Sequence, residues 1–271
     1  MVALHALGQP APQPPGARAA ALQASLPNEA RQALCPASEL GRRVRRQLPD
    51  EPLVTTLDAL DRLLGGGLPQ GELVELYGRA SCGRHTALLT TLAAVTGSGE
   101  TAALVDLGQH LDPQTAAVMG VALERLLWLR LERLPDALAA AEALVGAGFA
   151  LVAVDLGLPP VRGRSPLAAW LRLARSAAAH RATVLVSSPY RLSQCAASTV
   201  LHAGRGRGQW AGAVGSRRLL FGLATSLTLV KRRGQRAGER RPLLLAHPAA
   251  IASTTSPAEI TPERARATAT G

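Results

Sequence analysis

The stretch GELVELYGRASCGRHT, residues 71–86, combines the signals of a strand, a glycine-rich turn and the start of a helix. GELVELY predicts a strand, and the residues from His85 to Val95 fit a helix that follows it. Between them, Gly78 and Gly83 keep the glycine spacing of a phosphate-binding loop of the form GxxxxGK[ST]. Because strand, loop and helix are the context that such a match requires, the stretch predicts an α/β core with a phosphate-loop turn.

The turn departs from that form at the two positions that carry its chemistry. Arg84, which is bulkier and planar, replaces the lysine that reaches the β and γ phosphates, and His85 replaces the hydroxyl that holds Mg²⁺. Thr86 comes one residue late and about 100° around the helix. The single lysine of the chain, Lys231, belongs to a late strand. The turn is therefore expected to keep its shape without the nucleotide chemistry, and an ordinary glycine-rich turn is the alternative.

The rest of the chain alternates apolar strands with amphipathic helices, which predicts an α/β fold around a mostly parallel sheet. The predicted strands are Gly71–Tyr77, Thr101–Asp106, Leu126–Leu129, Ala150–Asp155, Thr183–Ser187, Ser226–Lys231 and Arg241–Ala246. The predicted helices are His85–Val95, Pro113–Met119, Leu134–Val145 and Pro166–His180. We divide the chain into a low-complexity, disordered segment (1–36), a basic helix or linker (37–53), the core domain (54–250) and a disordered tail (251–271).

The charge of the chain is strongly positive, with a net charge of +11 at pH 7. Such an excess is typical of proteins that attract polyanions, most often nucleic acid, and a solvated basic surface is the alternative. Cys35, Cys82 and Cys195 are odd in number and widely spaced, which fits neither a disulfide framework nor a zinc site and favours a reduced, cytoplasmic setting. We find no secretory signal and no transmembrane helix in the sequence, and expect no membrane association.

Three stretches resemble the core of the RecA recombinases. They are VTTLDALDRLLGGGLPQGELVELYG (54–78), ALVDLGQHLDPQTAAVMGVALERLLWLR (103–130) and ALVAVD (150–155), and the resemblance extends over residues 54–246. It implies a RecA-like phosphate-loop core with Asp155 as the Walker B aspartate. It also implies that Gly108, next to Gln109, stands where the family has its catalytic glutamate. Leu156 stands at the serine after the Walker B aspartate, and Ser188 or Pro189 at the γ-phosphate-sensing glutamine.

Within the RecA-fold superfamily, the eroded loop and the short segment between Asp155 and Thr183 are similar to the ImuA family, the SulA-related accessory proteins of bacterial mutasomes. That resemblance implies a non-catalytic protein of SOS-induced translesion synthesis. Its implied partners are an ImuB-like Y-family polymerase homologue, a DnaE-type error-prone polymerase and RecA. The vestigial nucleotide site would comprise Gly78, Gly83, Arg84, His85, Thr86 and Asp155, with at most weak ATP binding, no catalytic residue and no bound metal.

The basic residues concentrate between positions 205 and 241. This stretch contains ten of them, and Glu239 is its one acidic residue. The segment GRGRGQWAGAVGSRR, residues 204–218, is expected to be a mobile DNA-contacting loop, because RecA-like chains place such a loop there. Its candidates for contacts with single-stranded DNA are Arg205, Arg207, Trp210, Arg217 and Arg218. A solvated loop is the alternative. The run GRRVRRQL, residues 41–48, would dock onto a partner, meet DNA or only face water.

Three other functions remain open at this stage. The first is a RecA- or KaiC-type DNA-dependent ATPase in recombination or repair, in which Arg84 and Thr86 have taken over the missing roles. The second is a regulator that binds a nucleotide without hydrolysing it. The third is an inhibitor that caps RecA filaments, which differs from a mutasome accessory protein only in the stoichiometry with its partner.

Overall fold

The computed structural model describes residues 51–163, 166–212, 218–232 and 234–246. The predicted segments 1–36 and 251–271 lie outside the described residues, as do residues 37–50 of the predicted basic linker. The first described residues run alongside the chain that enters the core, and the backbones of Leu53 and Leu68 exchange two hydrogen bonds of 2.8 Å. Within the described ranges, no helix has the length and apolar character needed to cross a lipid bilayer.

Among the residues that the structure describes, the strands form one nine-stranded sheet, which lies at the centre of the fold. Its strands are β1 (Leu73–Tyr77), β2 (Ala102–Asp106), β3 (Leu126–Arg130), β4 (Leu151–Asp155), β5 (Thr183–Ser188), β6 (Thr199–Ala203), β7 (Arg207–Ala211), β8 (Leu219–Arg232) and β9 (Arg240–Ala246). Six of them form a parallel array in the order β3-β2-β4-β5-β1-β6. β8 runs antiparallel to β6, β7 and β9. β6 and β7 lie end to end along one side of β8, and β9 occupies the other side.

Helices cover both faces of the parallel array, so that its strands are largely buried on both sides, except for the edge strand β3, which is partly exposed. They are α1 (Asp58–Leu63), α2 (Arg84–Gly97), α3 (Pro113–Val118), α4 (Leu134–Ala147) and α5 (Leu167–His180), with a short 3₁₀ turn at Leu123–Arg125. Residues of α1, α2 and α3 belong to one apolar core, and residues of α4 and α5 to the other. Leu88 and Trp170 are fully buried in the first and the second core respectively. The predicted α/β class with a mostly parallel sheet is confirmed.

The sequence missed α1, β6 and β7 and placed the start of β8 at Ser226 instead of Leu219. The prediction of a mobile loop over residues 204–218 was wrong for its central part, because Arg207–Ala211 is a strand that pairs with β8 from Ala224 to Leu219. The sequence RGQWA has no alternating apolar pattern and contains glycine, which is why it suggested a loop. These residues form a strand because their backbone pairs with the long strand β8. Their side chains alone do not indicate it.

Glu75 lies in the middle of β1 and is fully buried. Its carboxylate accepts hydrogen bonds from the Ser188 hydroxyl at 2.9 Å, from the Leu192 backbone N–H at 2.7 Å, and from the backbone and hydroxyl of Ser193. The segment that leads from β5 to β6 also accepts a hydrogen bond from Lys231, whose Nζ donates to the carbonyl of Ala197 at 2.6 Å. The segment that leads from β5 to β6 is therefore held from both sides, by a buried carboxylate and by an ammonium group.

We expect Glu75→Gln to lower the free energy of unfolding by about 1–3 kcal/mol, because the amide leaves buried donors without an acceptor. Urea denaturation monitored by circular dichroism would measure this loss at an unchanged m-value. The matched control is Asp58→Asn on the exposed surface of α1, where a change within about 0.5 kcal/mol is expected. Equal stability of the Glu75→Gln variant and the wild type would contradict this account of the carboxylate.

Candidate functional site

The phosphate-loop turn (residues 78–86) begins where β1 ends and continues into α2. The N–H of Gly78 donates to the carbonyl of Ser188 at 3.1 Å, which fixes the turn to the end of β5. Gly83 caps α2 with a positive φ of 89°, a conformation that favours glycine. A Cβ atom at Gly83 would also collide with Leu245 from β9. Backbone conformation and packing therefore both require the second glycine of the motif.

Arg84 is buried beneath the turn, with 7% of its surface exposed. Its guanidinium donates to the Ser187 hydroxyl at 2.8 Å through Nη1 and to the Gly157 carbonyl at 3.1 Å through Nη2. Its Nε is buried and has no hydrogen-bond partner among the described residues. The arginine thus joins the start of α2 to the ends of β4 and β5. Two of its donor groups are committed to the protein itself.

His85, in the first turn of α2, and Asp155, at the end of β4, form a hydrogen-bonded pair. His85 Nδ1 lies 3.0 Å from Asp155 Oδ2, and the aspartate side chain is 3% exposed. Burial by itself raises the pKa of Asp155. The hydrogen bond from His85, the N–H of Gly157 at 3.1 Å and the nearby positive charges outweigh it and lower the pKa below its usual value. The carboxylate is therefore stabilised in its ionised form by groups of this chain.

Gly108 follows β2 and faces the same edge of the sheet. A Cβ atom at Gly108 would lie 2.6 Å from His110 Nδ1 and 2.9 Å from the Cα of Gly157. The His110 ring in turn contacts the His85 ring edge to face, with centroids 6.1 Å apart. The position has no space for a side chain unless the histidine ring and the neighbouring backbone move. Among the described residues, no three His, Cys, Asp or Glu side chains are grouped so that they could hold a metal ion.

These residues enclose a cavity of about 210 Å³ above the phosphate-loop turn. Pockets that hold small-molecule ligands typically measure roughly 300–1,000 Å³. The backbone N–H groups of Arg84, His85 and Thr86, in the first turn of α2, have no helical acceptor among the described residues, as is usual at the start of a helix. Arg84 and the His85–Asp155 pair form the floor of the cavity, and Leu158 and Leu223 contribute apolar walls. The cavity thus combines the N–H groups of a helix start with a smaller volume than typical ligand pockets have.

Comparison with known proteins shows which family this chain resembles. Residues 38–158 match the family described as the RecA N-terminal domain. The chain is 39% identical to RecA of Picosynechococcus over 97 residues, which cover 35% of this chain and 28% of that protein. It is 38% identical to RecA of Enterococcus faecium over 119 residues, or 43% of this chain and 34% of that one. The chain therefore spans about a third of the length of these curated relatives.

A solved structure extends the similarity beyond the matched sequence. The crystal structure of the RadB recombinase superposes with a TM-score of 0.52 and 21% identity, covering 70% of this chain and 94% of that one. This chain has a RecA-like fold. The expectation of a RecA-like core is confirmed by this fold and by the family match over residues 38–158.

The RecA-like fold brings the predicted vestigial site together. Gly78 starts the turn, and Gly83, Arg84, His85, Thr86 and Asp155 all line the cavity. The sequence did not indicate that Asp155 pairs with His85, because the two residues are 70 positions apart in the chain. Ser187, which accepts the hydrogen bond from Arg84, was also missed. A nucleotide-binding role for these residues stays a prediction.

The predicted DNA-contacting residues are divided between two faces of the β7–β8 hairpin. A Cβ atom at Gly208 would lie 2.9 Å from Trp210 Nε1 and 3.0 Å from Leu220 Cδ1, so Trp210 and Leu220 share one face. Arg207 is an odd number of residues from Trp210 and points to the opposite face of the strand. Arg205 precedes the strand and Arg218 precedes β8, both exposed, and Arg217 lies outside the described residues. Arg207 and Trp210 therefore lie on opposite faces of the strand, and a DNA-contacting role for these residues stays a prediction.

The Asp155 side chain gives a pH-dependent prediction. Since its pKa is lower in the folded protein, ionised Asp155 stabilises the fold above the unfolded value of about 4, and this contribution is lost as the pH falls through the folded value. We expect Asp155→Asn to be less stable than the wild type at pH 7 by about 1–3 kcal/mol, with a gap that narrows towards pH 3.

Denaturation curves at several pH values would measure this gap, with Asp136→Asn on the exposed surface of α4 as the control. A gap that stays constant from pH 7 to pH 3 would contradict the proposed charge interaction.

Proposed function

We propose that this chain is a non-catalytic, RecA-like accessory protein of damage-induced translesion DNA synthesis. In this proposal it acts in a mutasome through contacts with an ImuB-like Y-family polymerase homologue and a DnaE-type error-prone polymerase, and it contacts RecA as a further partner. Its working state needs neither ATP hydrolysis nor a bound metal.

The proposal rests on the contacts that the side chains at the phosphate-loop turn make with other residues of the same chain. Arg84 donates to Ser187 and Gly157, His85 pairs with Asp155, and the space at Gly108 is filled by His110. Phosphoryl transfer depends on a positioned cation, a metal ligand and a group that orients the nucleophile. Each of the three positions instead makes contacts that stabilise the protein itself. This supports a scaffold that has kept the fold for the surfaces it presents.

The basic residues of the hairpin region support single-stranded DNA as a further ligand. Among the described residues there, Arg205, Arg207 and Arg218 are exposed and form no ion pair, and the acidic side chain of Glu239 is already paired with Arg241 at 2.8 Å. Arginine side chains on a glycine-rich hairpin suit contacts with phosphates that do not depend on the base sequence.

We expect no Mg²⁺-dependent phosphate release from ATP by the purified protein, with or without single-stranded DNA. A coupled phosphate assay would measure this, with Asp155→Asn as the matched control for contaminating activity. Turnover by the wild type that disappears in Asp155→Asn, at a temperature where circular dichroism shows the variant to be folded, would show that the site is catalytic. It would favour a DNA-dependent ATPase of the RecA or KaiC type.

We expect the protein to co-elute in size-exclusion chromatography with a purified ImuB-like protein and a DnaE-type polymerase from the same organism. Because the contacts are proposed to involve surfaces and not the nucleotide site, addition of Mg²⁺-ATP should leave the elution unchanged. Separate elution of all three proteins at micromolar concentrations would contradict the mutasome role.

A further inference from the structure

A groove lies at the edge of the sheet opposite the phosphate-loop turn, where β1 and β2 begin. It has a volume of about 460 Å³. Its residues come from the chain that enters the core, from the last turns of α2 and from the approach to β2. We call it the amino-edge groove and define it by Glu51, Leu53, Val54, Ala94, Val95 and Glu100.

The amino-edge groove combines apolar and acidic side chains. Val54 is 58% exposed although it is apolar, whereas Val95 is buried. Glu51 and Glu100 are the acidic residues of the described lining, which contains no lysine or arginine. An exposed valine in a groove with two carboxylates favours an occupant that brings apolar side chains together with positive charge.

The residues that precede Glu51 in the chain have this composition. The run GRRVRRQL, residues 41–48, contains four arginines and no acidic residue, and its apolar side chains are Val44 and Leu48. We call it the basic segment; it lies outside the described residues. It complements the groove in both properties, because its charge is opposite and its apolar side chains match the apolar lining.

The path of the chain keeps the basic segment next to the groove. Gln70 Nε2 donates to the carbonyl of Glu51 at 2.8 Å, and Leu53 pairs with Leu68, so the beginning of the described chain is fixed. Leu48 precedes Glu51 by three residues, a distance of at most about 10 Å in an extended chain. A tether this short gives an effective concentration of roughly millimolar, at which even weak contacts lead to occupancy.

The same features disfavour the other occupants of the groove and the other ligands of the segment. A nucleic acid bound to the basic segment would bring its phosphates close to Glu51 and Glu100, which repel them. A second copy of the chain would have to displace a segment that is already tethered beside the groove. The segment of the same chain meets neither obstacle.

We propose that the basic segment docks into the amino-edge groove of its own chain. Val44 and Leu48 pack on the exposed side of Val54. Arginines of the segment pair with Glu51 and Glu100. The charge of the segment is then used within the protein, which leaves the hairpin region to attract DNA. This docking goes beyond the proposed accessory function and does not depend on it.

Limited trypsin digestion of the full chain tests this docking, because trypsin cleaves after accessible arginines. Cleavage after the four arginines of the basic segment should be at least about fivefold slower than cleavage after Arg31, since a docked segment is withheld from the protease. Mass spectrometry of the same digest measures both rates.

Two variants and their matched controls identify the contacts. Glu100→Gln should raise cleavage within the basic segment about threefold or more, and Asp136→Asn on the exposed surface of α4 should not change it. Val54→Ser should have a similar effect, whereas Val118→Ser, at a 56% exposed residue of α3, should have none. An unchanged circular dichroism spectrum and slow cleavage after Arg172 in α5 would show that each variant is folded.

Several results would overturn the proposal. Cleavage within the segment as fast as that after Arg31 would leave the segment in water. Slow cleavage that neither Glu100→Gln nor Val54→Ser accelerates would place the segment elsewhere on the molecule. Protection that grows with protein concentration, together with a larger mass in light scattering, would assign the groove to a second copy. Protection that appears only after an oligothymidine strand is added would assign the segment to nucleic acid.

Discussion

The arrangement of the site depends on the parallel alignment of β1, β4 and β5. Because these strands run side by side in the same direction, their carboxyl ends place the phosphate-loop turn, Asp155 and Ser187 along one edge. Arg84 and His85, the first residues of α2, reach down to this edge and make hydrogen bonds there. Here they connect three elements of the protein and contribute to its own stability.

The sequence predicted five of the six parallel strands, because most of them are buried on both faces and consist largely of apolar residues. LVELY in β1 and VAVD at the end of β4 are short, mainly apolar runs, and each is followed by glycine within two residues. Such runs predict buried strands. The predicted site residues converge for the same reason, since strand ends of one parallel sheet meet. What the spacing of residues cannot give is the pairing of His85 with Asp155 or of Arg84 with Ser187, because these contacts depend on side-chain directions in three dimensions.

The antiparallel part was harder to predict, and the reason lies in its side chains. β7 has the sequence RGQWA, in which polar and apolar residues do not alternate, and its order comes from backbone pairing with β8. Glu75 was missed for a related reason. A single carboxylate within an apolar strand gives no sequence signal of the donors that surround it, and those donors, at Ser188, Leu192 and Ser193, come from a segment more than a hundred residues away.

The close approach of Gly108 and Gly157 also has an evolutionary consequence. A side chain at position 108 would meet His110 Nδ1 at 2.6 Å and the Cα of Gly157 at 2.9 Å. A codon change that introduced glutamate at position 108 would therefore cost stability before it could contribute any chemistry. Accommodating a glutamate at this position requires the histidine ring or the Gly157 backbone to move first. Steric packing therefore restricts which single substitutions position 108 can accept.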